Sequence, residues 1–233
     1  KIIEYQLEDH AVKKLVDMTI TEFANETASE SPAPGGGSVS ACMGAFGVAL
    51  GTMVANLSAH KKGWDDRWEE FSEWAEKGKH YSERLLTLVD EDTQAFNGIM
   101  NAFGLPKNTD EEKAKRTEAI QLATRNAMEI PFQVMQTAYG AMEMIKAMAE
   151  IGNPNSVSDA GVGALALRAA VMGAGLNVKI NASGLDDKIY VAELLAKADE
   201  LEQKADEMEK AILEIVNSKE FDGIISNCDS NSW

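Results

Sequence analysis

Apolar residues recur every three or four positions along most of the chain and rarely alternate with polar ones over more than a few. Helices are predicted, and strands are not. A first helix is predicted over 10–28, broken near Thr19 and stopped by Pro32 and Pro34. Residues 64–103 read as one long amphipathic helix, with Trp68, Phe71, Ala75, Gly78, Tyr81, Leu85, Leu88, Phe96 and Ile99 on one stripe. "GLPKNTDEEKAKR" is a turn and a new start, with Asn108 or Thr109 as N-cap and acids in the first turn. That helix is predicted to run to about residue 150, kinked but not ended at Pro131. After the loop "IGNPNSVSD", Ser158 or Asp159 is expected to cap a fifth element that reaches about residue 182. "SGLDD" breaks it, and a last helix follows over about 186–218. No repeat and no long linker divides the chain, so the expectation is one all-α domain over 1–220 and a flexible C-terminal tail over 221–233.

Between the first two predicted helices, residues 31–59 carry no ionisable acid or base in a chain that is 26% charged. Residues 39–57 meet the length criterion for a membrane span. However, Ser40, Gly44, Gly47, Gly51 and Ala55 form a small-residue stripe that admits a neighbouring backbone, and no basic cluster flanks the segment. A helix with no charged face is expected to be enclosed by its own protein, here as the central helix of a bundle. A second stripe, Asp159, Gly163, Ala166, Ala170, Gly173, Asn177 and Asn181, suggests a partner for it. Each helical glycine costs about 1 kcal/mol relative to alanine. Close packing, within the subunit or across an oligomer interface, has to offset that cost.

Charge narrows the choice of partner. With 38 acids against 22 Lys and Arg, net −16, the chain is a poor match for nucleic acid or an anionic membrane. Any anionic ligand has to find a local positive pocket. Two cysteines, Cys42 and Cys228, do not make a disulfide framework and fit a reducing compartment. The opening "KIIEYQLEDH" lacks the apolar stretch of a secretory signal, so the expected location is cytoplasmic. His10, His60 and His80 have no metal-site or triad spacing, and no metal is expected.

Three features could carry chemistry. In Pro32-Ala33-Pro34-Gly35-Gly36-Gly37-Ser38, glycines ahead of a helix expose main-chain N–H groups to which an anion or polar heterocycle could bind; the alternative is a plain turn. Asp92 falls on the apolar stripe with Leu88 and Phe96, where a carboxylate needs a partner, a raised pKa or a cleft. Its alternative is a structural ion pair. Asp159 is either a cap or a second carboxylate beside the small-residue stripe. Asn177 and Asn181 share a face and either bridge helices or recognise a flat ring. Lys107, Arg125 and Lys179 are candidate cations for a ligand carboxylate.

Four stretches together, "SPAPGGGSVSA", "LVDEDTQAF", "LPKNTDEEKAKRTEAIQ" and "SDAG" with "NVKIN", resemble the cyclodeaminase domain of formiminotransferase-cyclodeaminase, a family shared with methenyltetrahydrofolate cyclohydrolases. The likeness covers about residues 18–218. It implies an all-helical, soluble homodimer or higher homo-oligomer with a folate site at a dimer interface, acting in one-carbon metabolism and histidine degradation. The implied reaction closes 5-formimidoyltetrahydrofolate to 5,10-methenyltetrahydrofolate with loss of ammonia; hydrolysis of the methenyl ring is the alternative, and a non-catalytic folate-binding module a third. No cofactor beyond the folate substrate, which can be polyglutamylated, is implied. A formiminotransferase domain or partner protein is a further partner that the resemblance implies. For such a reaction the position of the carboxylates makes Asp92 or Asp159 the candidate acid/base and charge stabiliser. Pro34, Gly35, Gly36, Gly37, Ser38, Phe96, Lys107, Arg125, Ser158, Asn177, Lys179 and Asn181 become candidate substrate-binding residues.

Overall fold

The computed structural model describes residues 14–230, with side chains to Lys219. Six α-helices account for most of them: α1 (Ile20–Thr27), α2 (Gly36–Ala59), α3 (Trp68–Phe103), α4 (Asp110–Ile151), α5 (Val157–Ala182) and α6 (Lys188–Ser230). No strand occurs among the described residues. The predicted break near Thr19 is a helix start. Thr19 is extended and accepts from the Glu22 N–H, and the Glu22 carboxylate accepts from the Thr19 N–H. Thr109 and Glu112 repeat the same reciprocal cap at the head of α4. The part of the first predicted helix before Lys14 lies outside the described residues.

Two boundaries move. Pro154 opens a short 3-10 turn, Pro154–Ser156, so Ser156 becomes the N-cap of α5, and Ser158 and Asp159 fall inside its first turn. Neither caps the helix as expected. At the other end α6 continues to Ser230, past the expected end near residue 218, because Phe221, Ile224 and Ile225 keep helical spacing in the sequence. Only 231–233 of the expected tail lie outside the described residues. Helix α4 runs on through Pro131.

Helix α2 packs against α3 on one side, α5 on another and α4 beneath, while α6 lies over α5 and α4. The core is rich in methionine: Met128, Met135 and Met142, one heptad apart on α4, join Leu85, Leu88, Ile145 and Leu167, all fully buried. Helices α2 and α5 run antiparallel through their small residues. Gly36 meets Asn177, Ser40 meets Gly173, Gly44 meets Ala170, and Gly47 meets Gly163. A Cβ on Gly47 would come 2.9 Å from the Gly163 carbonyl oxygen, so the two backbones are in direct contact.

Enclosure of the uncharged helix is incomplete. Helix α2 leaves Phe46, Met53 and Leu57 exposed, and α5 leaves Val162, Leu165, Leu176 and Ile180 exposed. Both helices are long and apolar enough to cross a membrane by length and composition, but 56% and 50% of their apolar windows are buried in the fold. Small residues seat each helix against its neighbours on one side only, and each leaves apolar side chains exposed on the other.

Candidate active site

The site begins where α2 begins. Ser31 Oγ donates to the Ala33 carbonyl at 2.6 Å, the Ala33–Pro34 bond is cis, and Gly35 is an N-cap with no side chain to satisfy the first-turn N–H groups. Another helix supplies the missing acceptor. From the middle of α3, the Asp92 carboxylate accepts from the Ser38 backbone N–H and, at 2.9 Å, from Ser38 Oγ. A Cβ on Gly37 would overlap that carboxylate, and one on Gly36 would press on the Asn177 amide at 3.0 Å. This corrects the expectation that the glycines hold out bare main chain to a ligand. Gly36 and Gly37 are glycines because two site side chains occupy the space beside them, and the first anion on the helix start is the protein's own. Of the three, Gly35 alone borders the cavity.

Burial pushes the Asp92 carboxyl above its usual range, and the two hydrogen bonds from Ser38 partly oppose that rise. Next to it Thr93 Oγ1 lies 3.1 Å from Ser38 Oγ. Since Ser38 Oγ donates its single proton to Asp92, Thr93 is the donor to Ser38.

Asp92 opens on a cavity of about 230 Å³ lined by Pro32, Ala33, Gly35, Thr93, Phe96, Ile99, Ala127, Asn177, Ile180 and Asn181. Asn177 Nδ2 donates to the Gly173 carbonyl at 2.9 Å and Asn181 Nδ2 to the Ala127 carbonyl at 2.8 Å. The Asn181 bond bridges α5 to α4, and with one donor of each amide engaged, both retain an oxygen that can accept. Flat polar ligands suit such a slot: apolar contact from Phe96, Ile99 and Ala127, amide acceptors along one wall, and an acid/base group at the end.

Gly35, Asp92, Phe96, Asn177 and Asn181 are therefore brought together, with Gly36, Gly37 and Ser38 directly behind them. Ser38 is fully buried and Pro34 is buried, and neither lines the cavity. Asp159 and Ser158 are not part of it. They sit about 27 Å from Asn177 along α5 at ~1.5 Å per residue, because a stripe shares a face without sharing an end. Lys179 is held by Asp199 at 3.0 Å and Glu202 at 2.9 Å, and Arg125 pairs with Glu129 at 3.2 Å and lies over the Tyr190 ring. Both cations are already matched by acids. Lys107 lies in the α3–α4 loop and does not line the cavity. Thr93, Ile99, Ala127 and Ile180 were not among the candidates. Ile99 was legible as part of the Asp92 stripe, whereas Ala127 enters only because α4 crosses there.

Comparison with known proteins bears on this slot. Residues 19–200 match the family model described as formiminotransferase-cyclodeaminase. A methenyltetrahydrofolate cyclohydrolase of Methylorubrum extorquens is 39% identical over 86% of this chain and 97% of its own length. The formimidoyltransferase-cyclodeaminase of Rattus norvegicus is 34% identical over 88% of this chain, which spans only 38% of that longer protein. In three dimensions the crystal structure of formiminotetrahydrofolate cyclodeaminase from Thermotoga maritima superposes with a TM-score of 0.76 at 27% identity, over 86% of this chain and 96% of that one. The family model spans most of the chain, and a relative is 39% identical over nearly its whole length, so the chain belongs to the formiminotransferase-cyclodeaminase family.

Proposed function

We propose that this member of a folate-processing enzyme family is a formimidoyltetrahydrofolate cyclodeaminase, with Asp92 as its acid/base. One observation carries the reading: a half-buried carboxyl with a raised pKa, pinned at a helix start, faces a slot of aromatic and amide groups. In the protonated formimidoyl substrate, N10 attacks the carbon carried on N5, and a C–N10 bond forms. Asp92 takes the N10 proton and returns it to the formimino nitrogen. That nitrogen leaves as ammonia when its bond to carbon breaks, and the methenyl cation remains. A carboxyl whose pKa is raised by burial suits both transfers, and its anion stabilises the cationic product. Holding N10 against the carbon supplies the rest. Asn177 and Asn181 accept from pterin N–H groups.

Hydrolysis of the methenyl ring is the second reading, favoured by the full-length match to the Methylorubrum extorquens cyclohydrolase. It needs the same slot and a water in place of the internal nucleophile. The chain acts as a homo-oligomer through the apolar face of α2 and α5 in both readings. No Lys or Arg lines the cavity among the described residues; positive charge for the folate glutamate comes from Lys14, which lines the adjoining pocket with Pro32 and Ala33, or from a second copy.

The deciding experiment measures ammonia release from 5-formimidoyltetrahydrofolate beside loss of methenyl absorbance. Ammonia release at the higher kcat/KM supports the first reading, and hydrolysis without ammonia replaces it with the second. Full turnover of both substrates by the folded D92N variant would remove Asp92 from the mechanism.

A further inference from the structure

The hydroxyls of α2 do not all behave alike. Ser40, Thr52 and Ser58 each donate to the carbonyl four residues earlier in their own helix. Ser38 instead reaches across to α3, where it meets two consecutive residues: Asp92 Oδ2 at 2.9 Å and Thr93 Oγ1 at 3.1 Å. A hydroxyl with one proton and two lone pairs, held between an acceptor and a donor, has its proton direction decided by the donor. Of the charges nearby, Asp90 accepts from the Leu15 N–H, Glu91 is paired with Arg84, and Lys179 with Asp199 and Glu202. Lys14 and Glu26 line, with Thr93, the adjoining pocket, and none of these charges makes a hydrogen bond to Ser38 or Thr93. From Thr93, therefore, a chain of hydroxyl donors runs through Ser38 to the carboxylate.

We propose that Thr93 is a positioning residue that acts on Asp92 through Ser38, holding the Ser38 proton toward the carboxylate, and that Ser38 serves the site from behind without touching substrate. This rests on the reading of Asp92 as acid/base. Thr93 turns an adaptable serine rotor into a fixed donor, which keeps the Asp92 anion available as the base at neutral pH. Burial alone would favour the protonated form.

The test is a double-mutant cycle of S38A and T93V, with T93S as the conservative rescue, read as the pH profile of kcat/KM. In S38A the acid limb moves to higher pH, with a loss on the order of tenfold at its acid end, the range of a hydrogen bond to a charged group. T93V moves the limb the same way by less, T93S restores it, and T93V adds nothing in the S38A background. An undiminished T93V effect in that background would mean that Thr93 works on substrate directly, and an unmoved limb with a lowered plateau would mean a packing role. Either result overturns the proposal. Carbon-13 carboxyl titration by NMR, with the Asp92 signal identified by its loss in D92N, separates this proposal from the reading beneath it. If the Asp92 titration moves in S38A and T93V while the activity profile does not, the relay stands and the acid/base role falls. If the titration does not move, the relay is wrong whatever the activity does.

Discussion

At the scale of single residues, Asp92 ties function to a stability cost. Its folded pKa lies above the ordinary value of 3.8 because burial disfavours the charged form. The sign follows from linkage: the folded state holds this proton more tightly than the unfolded chain, so the contribution is fully present below pH 3.8 and is lost as pH rises through the folded pKa. Asp92→Asn removes that loss. The Tm difference between D92N and wild type is expected to grow in favour of D92N as pH rises from about 4 and then level off, while turnover is lost; thermal melts across pH check it, and a difference independent of pH would contradict it. Gly37 offers a second test. Alanine there drives the carboxylate from its seat, and G37A is expected to lose about 100-fold in kcat/KM, as a 1 Å misplacement does, with its circular dichroism unchanged. G36A presses only on the tip of the Asn177 amide, so steady-state kinetics should show a raised KM with kcat nearly intact.

Between elements, the antiparallel seam of α2 and α5 places Asn177 beside Gly36 and consigns Asp159 to the far end. Gly47 and Gly163 meet backbone to backbone, where nothing can yield. G47A is expected to destabilise by about 1–3 kcal/mol in denaturant unfolding, the usual cost of overpacking. Gly98, within α3, has open space where a Cβ would go, and G98A is expected to stabilise by about 0.5–1 kcal/mol. The opposite signs test close approach against simple helix propensity. Element ends were legible where a cap is local: Thr109 with Glu112, and Thr19 with Glu22, are patterns within four residues. The start of α2 was not legible in this way, since its acceptor, Asp92, comes from another helix.

For the whole molecule the notable feature is the apolar face shared by α2 and α5, on a chain of net charge −16. Water-exposed faces of this kind mark interaction surfaces, and a second copy offers the matching one. Leu165→Lys with Leu176→Lys is expected to shift sedimentation toward monomer and to reduce activity. Ile189→Lys, at an exposed residue of α6, is expected to change neither. An unchanged sedimentation profile in the double variant would show that the face is not the interface.

Helical periodicity, the small-residue stripes and the placing of Asp92 on an apolar stripe were readable in the residues alone, because each depends on neighbours within a turn or two of helix. The amino-acid sequence therefore determined an all-α bundle, a glycine-headed uncharged helix and one carboxylate out of place. Packing decided the rest: the glycines make room for Asp92 and Asn177, Lys179 and Arg125 are matched by acids, and Asp159 lies far from the slot. Those outcomes depend on which helix ends meet across the seam, and that is set by contacts between residues far apart in the chain.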